Sequence, residues 1–199
     1  MHIPSQQDIE RLHHSYAPTD EIFGIVYTHC QIVRDIARQL IEASSLDVDR
    51  ELVEAGCLLH DIGVYKLYNA DGTHGPKSEY IRHGILGEDL LKAEGYPEAL
   101  WRIASHHIGT GLTVQDVKER GLLLPQQDYL AETTEELLVM YADKFHSKTQ
   151  PPMFNTPAWY RAYVSTFGED KAGRFDAMRA QFGEPDLEPL AAAYGHAIR

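Results

Sequence analysis

Residues 22–40 read IFGIVYTHCQIVRDIARQL, and this stretch decides the fold. Ile22, Ile25, Val26, Ile32, Val33, Ile36 and Leu40 recur at spacings of three and four, the period of a helix with one buried face. His29 lies on the same stripe, so an imidazole turns inward among the isoleucines. Pro18 and Thr19 open this helix, and the pattern carries it to about Ala43.

The same period extends in both directions. Ser5 and Asp8 read as the cap and first-turn acid of a short helix ending near Tyr16. Asp47 or Asp49 caps a helix from Arg50 to about His60, with Leu52, Val53 and Leu59 inward and Gly63 at its end. Gly and Pro make residues 65–78 a loop, and its Tyr65 and His74 are candidates for covering a site. Helices are expected from Glu79 to Ala93, from Pro97 to His107, from Thr113 to Arg120 and from Thr133 or Thr134 to His146. Residues 148–157 form a proline-rich loop, and helices near 158–167, 171–182 and 187–197 follow. No alternating strand stands out, so the expected class is all-α.

The chain has 199 residues, enough for one domain with a core of its own. Eighteen Lys and Arg against thirty Asp and Glu give a net charge of −12. That balance argues against sequence-independent binding to nucleic acid or anionic membranes, which need basic surfaces. An anionic ligand must then be drawn in by something local. Cys30 and Cys57 make no disulfide scaffold, and the start MHIPSQQDIERLHHSY lacks an apolar signal core. A cytoplasmic protein without a membrane span is expected.

Eleven histidines are the chemical signal. His60 and Asp61 end a helix whose inner face carries Val53 and Cys57, so both can flank one point beside the helix end. His83 precedes the inward residues Ile85, Leu86 and Leu90, and His106 and His107 end another helix. Asp143 is four residues after Val139, which points a carboxylate toward the core. A buried carboxylate needs a cation or several donors. Imidazole and carboxylate without thiolates suit first-row metals rather than a structural zinc site. A Cys57-x-x-His60 metal pair is the weaker reading, beside a small buried apolar Cys57.

The order His29, His60-Asp61, His83, His107, Asp143, with LLHDIG at 58–63 and YADK at 141–144, resembles the HD superfamily of metal-dependent phosphohydrolases. The likeness is nearest to small HDIG-domain hydrolases, and similar also to HD-class diadenosine-tetraphosphate hydrolases. It implies a helical HD domain over residues 1–150, with 151–199 a helical C-terminal extension packed on it. It implies that His29, His60, Asp61 and Asp143 hold a first divalent metal. Asp61 bridges to a second metal held by His83 and His107, with His106 as the alternate to His107. Relatives with HDIGK carry a lysine where this chain has Val64, its nearest lysine being Lys66. The GYP at 95–97 precedes the paired histidines, unlike its place in cyclic-di-GMP phosphodiesterases, and reads as a helix start.

The expected cofactor is one or two divalent ions among Fe, Mn, Co, Ni, Zn and Mg. The expected reaction is attack of metal-activated water on a phosphate ester or anhydride of a small, nucleotide-like substrate, with Asp61 holding the water through the metals. Lys66, Lys77, Arg82 and Lys144, all beside motif residues, are candidates for gripping phosphate. Tyr160, Arg161 and Tyr163 are candidates for a pocket wall or for the interface of a homodimer. Two rival readings use the same ligands: a di-iron oxygenase or lyase, and a non-catalytic nucleotide-binding regulator.

Overall fold

A computed structural model of the chain describes residues 2–44 and 46–199, among which ten α-helices succeed one another. In α1 (Gln6–Tyr16) the Ser5 hydroxyl accepts the Asp8 amide while the Asp8 carboxylate accepts the Ser5 amide, a closed capping box. The expected stripe becomes α2 (Asp20–Ser44), with Ile22, Val26, Ile32, Val33, Ile36 and Leu40 buried together with His29. Asp49 caps α3 (Arg50–Leu59), and Thr133 caps α7 (Thr134–Asp143). These three helices pack on one another and form the core, with α4 (His83–Ala93) and α5 (Glu98–His106) crossing beside them.

Gly63 does not end a helix. α3 stops at Leu59, His60 caps it, and Gly63 lies in a 3-10 helix, Ile62–Leu67. Its lack of a side chain serves a close approach instead. A Cβ at Gly63 would collide with the His83 carbonyl oxygen and the Gly87 backbone. The start of α4 therefore lies directly on the segment that carries Asp61. The expected 65–78 loop is shorter than its composition suggests, because Lys77–Arg82 is a second 3-10 helix leading into His83. Tyr65 is no cover residue. It is buried, and its hydroxyl donates to His13 Nδ1 at 2.8 Å.

Beyond α5 come α6 (Val114–Glu119), then, after α7, α8 (Pro157–Ser165), α9 (Glu169–Phe182) and α10 (Leu187–Tyr194). α8 and α9 pair, and Tyr160, Phe175 and Phe182 bury their rings. A small sheet was not foreseen. β1 (His146–Ser147) runs antiparallel to β2 (Met153–Phe154), and β2 runs parallel to β3 (Ala197–Ile198). Two-residue strands carry no readable alternation. This sheet nonetheless ties the last residues of the chain to the segment just after Asp143. Among the described residues, no helix is long and apolar enough to cross a membrane.

Candidate metal centre

Asp61 stands at the middle of the site because the α3 helix ends one residue before His60 and the chain turns there. Its carboxylate is 1% exposed, and its two oxygens face different groups. Oδ2 lies 3.2 Å from His29 Nε2 and 3.4 Å from His60 Nε2. Asp143 Oδ1 completes that side, 3.0 Å from His29 Nε2 and 3.5 Å from His60 Nε2. Oδ1 of Asp61 faces His83 Nε2 at 3.5 Å and His107 Nε2 at 3.7 Å. The six residues come from α2, the α3 end, the α4 start, the α5 end and the α7 end.

Hydrogen bonds fix how these imidazoles present themselves. His60 Nδ1–H donates to Cys57 O at 2.7 Å, His83 Nδ1–H to Tyr80 O at 2.6 Å, and His107 Nδ1–H to Ala104 O at 2.8 Å. The carbonyls turn each Nε2 toward the centre, the arrangement seen for metal-binding histidines. Burial alone would lower the His60 ring, but Asp61 and Asp143 outweigh it and raise its pKa well above the ordinary value, so a cation there would displace its Nε2 proton. Burial pushes the His83 and His107 rings below their ordinary pKa, His107 strongly so, with its neighbours His60 and His83 adding to the effect. Burial alone would raise the Asp61 and Asp143 carboxyls. Lys148 and His60 beside Asp61, and Lys144 and His29 beside Asp143, outweigh it and hold both well below the carboxylate range.

This geometry tests the fit of a divalent cation. His83 Nε2 and His107 Nε2 lie 3.0 Å apart, lone pair toward lone pair, in front of Asp61 Oδ1. That oxygen is buried and has no hydrogen-bond partner among the described residues. Leaving such an acceptor unmet costs about 1–3 kcal/mol, more when it is charged. A divalent cation held by these three residues would remove both problems, and the lowered His83, His107 and Asp61 groups are in the protonation state that metal binding needs. Three overlapping groups of donors, built on His29–His60–Asp61, His60–His107–Asp143 and Asp61–His83–His107, each have atoms within 4.8 Å of one another. The residues fit one or two divalent ions.

Other expected residues lie elsewhere. His106 turns away from the centre and donates through Nδ1 to Arg102 O at 3.0 Å, its ring against Tyr129. Cys57 is a buried thiol whose pKa burial pushes up to about 12, which leaves it a packing residue. Lys66 is exposed with its ammonium over the Tyr16 ring, Lys77 is exposed, and Arg82 pairs with Glu79 at 2.9 Å. None of these three cations lines the cavity that opens on the centre. They sit on or beside the 3-10 segments, whose outer faces point to solvent. Lys144 does line it, buried, donating to Asp143 Oδ2 at 2.7 Å and to His107 O at 2.9 Å.

Sequence reasoning missed three residues. Lys148 carries a buried ammonium onto Asp61 Oδ2, with the Tyr80 ring 5.6 Å away. It lies directly after β1. His146 Nδ1 lies 2.8 Å from His29 Nδ1, and His146 Nε2 lies 3.0 Å from His196 Nδ1. For His29 to offer Nε2 inward, its Nδ1–H donates to His146, whose Nε2–H donates to His196. The sequence held a signal, HSK directly after YADKF, but its meaning depends on the small sheet.

The cavity measures about 760 Å³, within the range of small-molecule sites. Five cationic side chains line it, Arg120, Lys144, Lys148, Lys171 and Arg199, against two carboxylate side chains among the described residues, Asp61 and Asp143.

Comparison with known proteins agrees with this geometry. An uncharacterized protein of Methanocaldococcus jannaschii, MJ0778, is 41% identical over 121 residues, covering 59% of this chain and 64% of that protein. A tRNA (cytidine(56)-2'-O)-methyltransferase of Picrophilus torridus is 35% identical over 123 residues, covering 62% of this chain and 32% of that enzyme. The matched regions thus span only part of both relatives. The HD domain of the phosphodiesterase PgpH from L. monocytogenes, solved with cyclic-di-AMP, shares the fold with a TM-score of 0.56 and 18% identity, over 96% of this chain and 99% of that one. The HD domain model matches residues 26–148, a span that contains all six clustered residues, and the chain belongs to this family of metal-dependent phosphohydrolases.

Proposed function

We propose that this chain hydrolyses a phosphate ester or anhydride in a small nucleotide, using one or two divalent ions held by His29, His60, Asp61, His83, His107 and Asp143. The observation that carries this reading is the cavity itself. In a chain of net charge −12, five lysines and arginines line the cavity that opens onto the His/Asp cluster. When bound, divalent ions supply Lewis acidity toward phosphoryl oxygens and lower the pKa of water.

The chain's own residues do the rest. Asp61 and Asp143 stay ionised beside Lys148 and Lys144 and so keep their oxygens available. Arg120, over the Phe167 ring, and Arg199, over Trp159 with its Nε donating to Asn155 Oδ1 at 2.7 Å, form no side-chain ion pair among the described residues and attract the anion at the mouth. The structurally similar PgpH domain is described with a cyclic dinucleotide, which supports the nucleotide class. The tRNA methyltransferase relative raises RNA as a second source of nucleotide chemistry. The acidic surface favours a free nucleotide over a polyanion. In this reading residues 1–150 carry the metal centre, and 151–199 contribute cavity wall.

The test is hydrolysis of nucleotides and dinucleotides by protein reloaded with Mn, Fe, Co or Mg, read by chromatography of the nucleotide products together with free phosphate. We expect turnover with at least one pair and its loss to background in Asp61→Asn with the fold retained by circular dichroism. Turnover undiminished in that variant, or oxygen uptake without hydrolysis, would replace the reading.

A further inference from the structure

The cavity wall opposite the metal centre is built from a second kind of residue. Trp159, Tyr163 and Phe167 follow one another at intervals of four, so α8 and the turn after it present them as one stripe. Trp159 and Tyr163 are stacked, centroids 5.4 Å apart and planes 9° apart, and Tyr163 meets Phe167 edge to face at 5.2 Å. The stripe is closed by a cation at each end. The Arg199 guanidinium lies 3.7 Å over Trp159, and the Arg120 guanidinium 4.9 Å over Phe167. All five residues line the cavity that also contains Asp61, His83 and Asp143. Tyr163 and Phe167 remain 47% and 43% exposed, two of the three large apolar side chains left open among the described residues.

Packing alone does not call for this arrangement. The other face of α8, Tyr160 and Val164, already buries against the core. Exposed aromatic rings, Tyr163 and Phe167, beside arginines without a carboxylate partner among the described residues are what a planar, uncharged ring attached to a phosphate would meet. Base–aromatic stacking and arginine–phosphate contacts are both general tools for this chemistry.

We propose that Trp159, Tyr163 and Phe167, flanked by Arg120 and Arg199, are the nucleobase subsite for a free nucleotide whose phosphate reaches the metal centre. The proposal rests on the phosphohydrolase reading and adds which end of the cavity takes the base. Apart from Arg120, the residues that choose the substrate then belong to the C-terminal segment rather than to the metal centre. Tyr163 is the central contact, because it is the exposed middle ring of the stripe. The two arginines are oriented by their own ring contacts, so they need little further ordering to meet a phosphate.

The experiment compares three probes on metal-loaded full-length protein: AMP, ribose 5-phosphate and inorganic phosphate. Dissociation constants are read by rapid-mixing fluorescence, before turnover, with Trp159 as the reporter. AMP is expected to bind about tenfold or more tighter than ribose 5-phosphate, the order of one base–aromatic stack. Tyr163→Ala should bring AMP to the level of ribose 5-phosphate and leave inorganic phosphate where it was, and Tyr163→Phe should restore AMP. If ribose 5-phosphate and phosphate bind but AMP binds no tighter, the base subsite is overturned and the phosphohydrolase reading stands. If none of the three binds, both fall. An RNA oligomer ending in adenosine phosphate that binds more tightly than AMP overturns the assignment to a free nucleotide.

Discussion

His29 shows how much of the centre depends on atoms that never touch it. Its Nε2 is within 3.2 Å of both Asp61 and Asp143, but its Nδ1 is held by His146, which is held in turn by His196. Burial, with the neighbours His29 and His196, pushes the His146 pKa down to about 2, so the ring stays neutral and can accept from His29. Partners of this kind fix the ligand's tautomer and angle, and losing one weakens metal binding about 10–100-fold. His146→Phe is therefore expected to raise the metal dissociation constant by that factor while far-ultraviolet circular dichroism stays unchanged. Equal affinity in the two proteins would mean that His146 only fills space. At this scale the sequence was unevenly legible. His29, His60 and Asp143 announce themselves because each interrupts an apolar helical stripe with a polar group. His146 lies on a two-residue strand and Lys148 and His196 lie next to such strands, where no period marks what faces inward.

Between elements, the tightest constraint is the contact of the Ile62–Leu67 3-10 helix with α4. Gly63 lets the His83 end of α4 reach Asp61, and any Cβ there must push the two apart. Gly63→Ala should cost about 1–3 kcal/mol by overpacking, read as a lower urea midpoint, and should weaken binding of the metal that needs His83. A variant as stable as the parent would show that the approach is looser than drawn. The sequence marked Gly63 as important but suggested a helix stop, since a glycine after a helix usually is one. The close approach is a tertiary fact. α1 is held to the same region by His13, which is 0% exposed and donates through Nε2 to Leu58 O at 2.8 Å. Burial pushes the His13 pKa down to about 3, despite that hydrogen bond. An unfolded histidine titrates near 6.5. The native state thus binds fewer protons between these values, and His13's share of stability is complete above about pH 6.5 and lost as pH falls toward 3. Urea unfolding at pH 4, 5 and 6 should show a slope shallower by up to about 1.4 kcal/mol per pH unit in His13→Phe than in the parent. Parallel slopes would show that His13 is not buried in its neutral form.

For the whole molecule, one helical body places a two-sided donor cluster at the floor of a cavity and lets the C-terminal segment wall it. The all-α class was legible because α2, α3 and α7 each carry a clear buried period. The three-stranded sheet was not, since each strand is two residues long and its pairing joins segments far apart in sequence. That sheet decides the functional layout. It brings His196 and Arg199 to a site whose other residues end at Lys148, Asn155 and Lys171. Charge follows the same logic, with an acidic chain that places five of its eighteen lysines and arginines along the cavity.

We infer that Asp61 would serve two divalent ions, since its Oδ2 faces His29 and His60 and its Oδ1 faces His83 and His107. Elemental analysis of the reloaded protein, beside His83→Ala and His107→Ala, tests it most directly. The account predicts close to two divalent ions per chain in the parent and close to one in each variant, with the fold unchanged. One ion in all three proteins, or none after reloading, would contradict it.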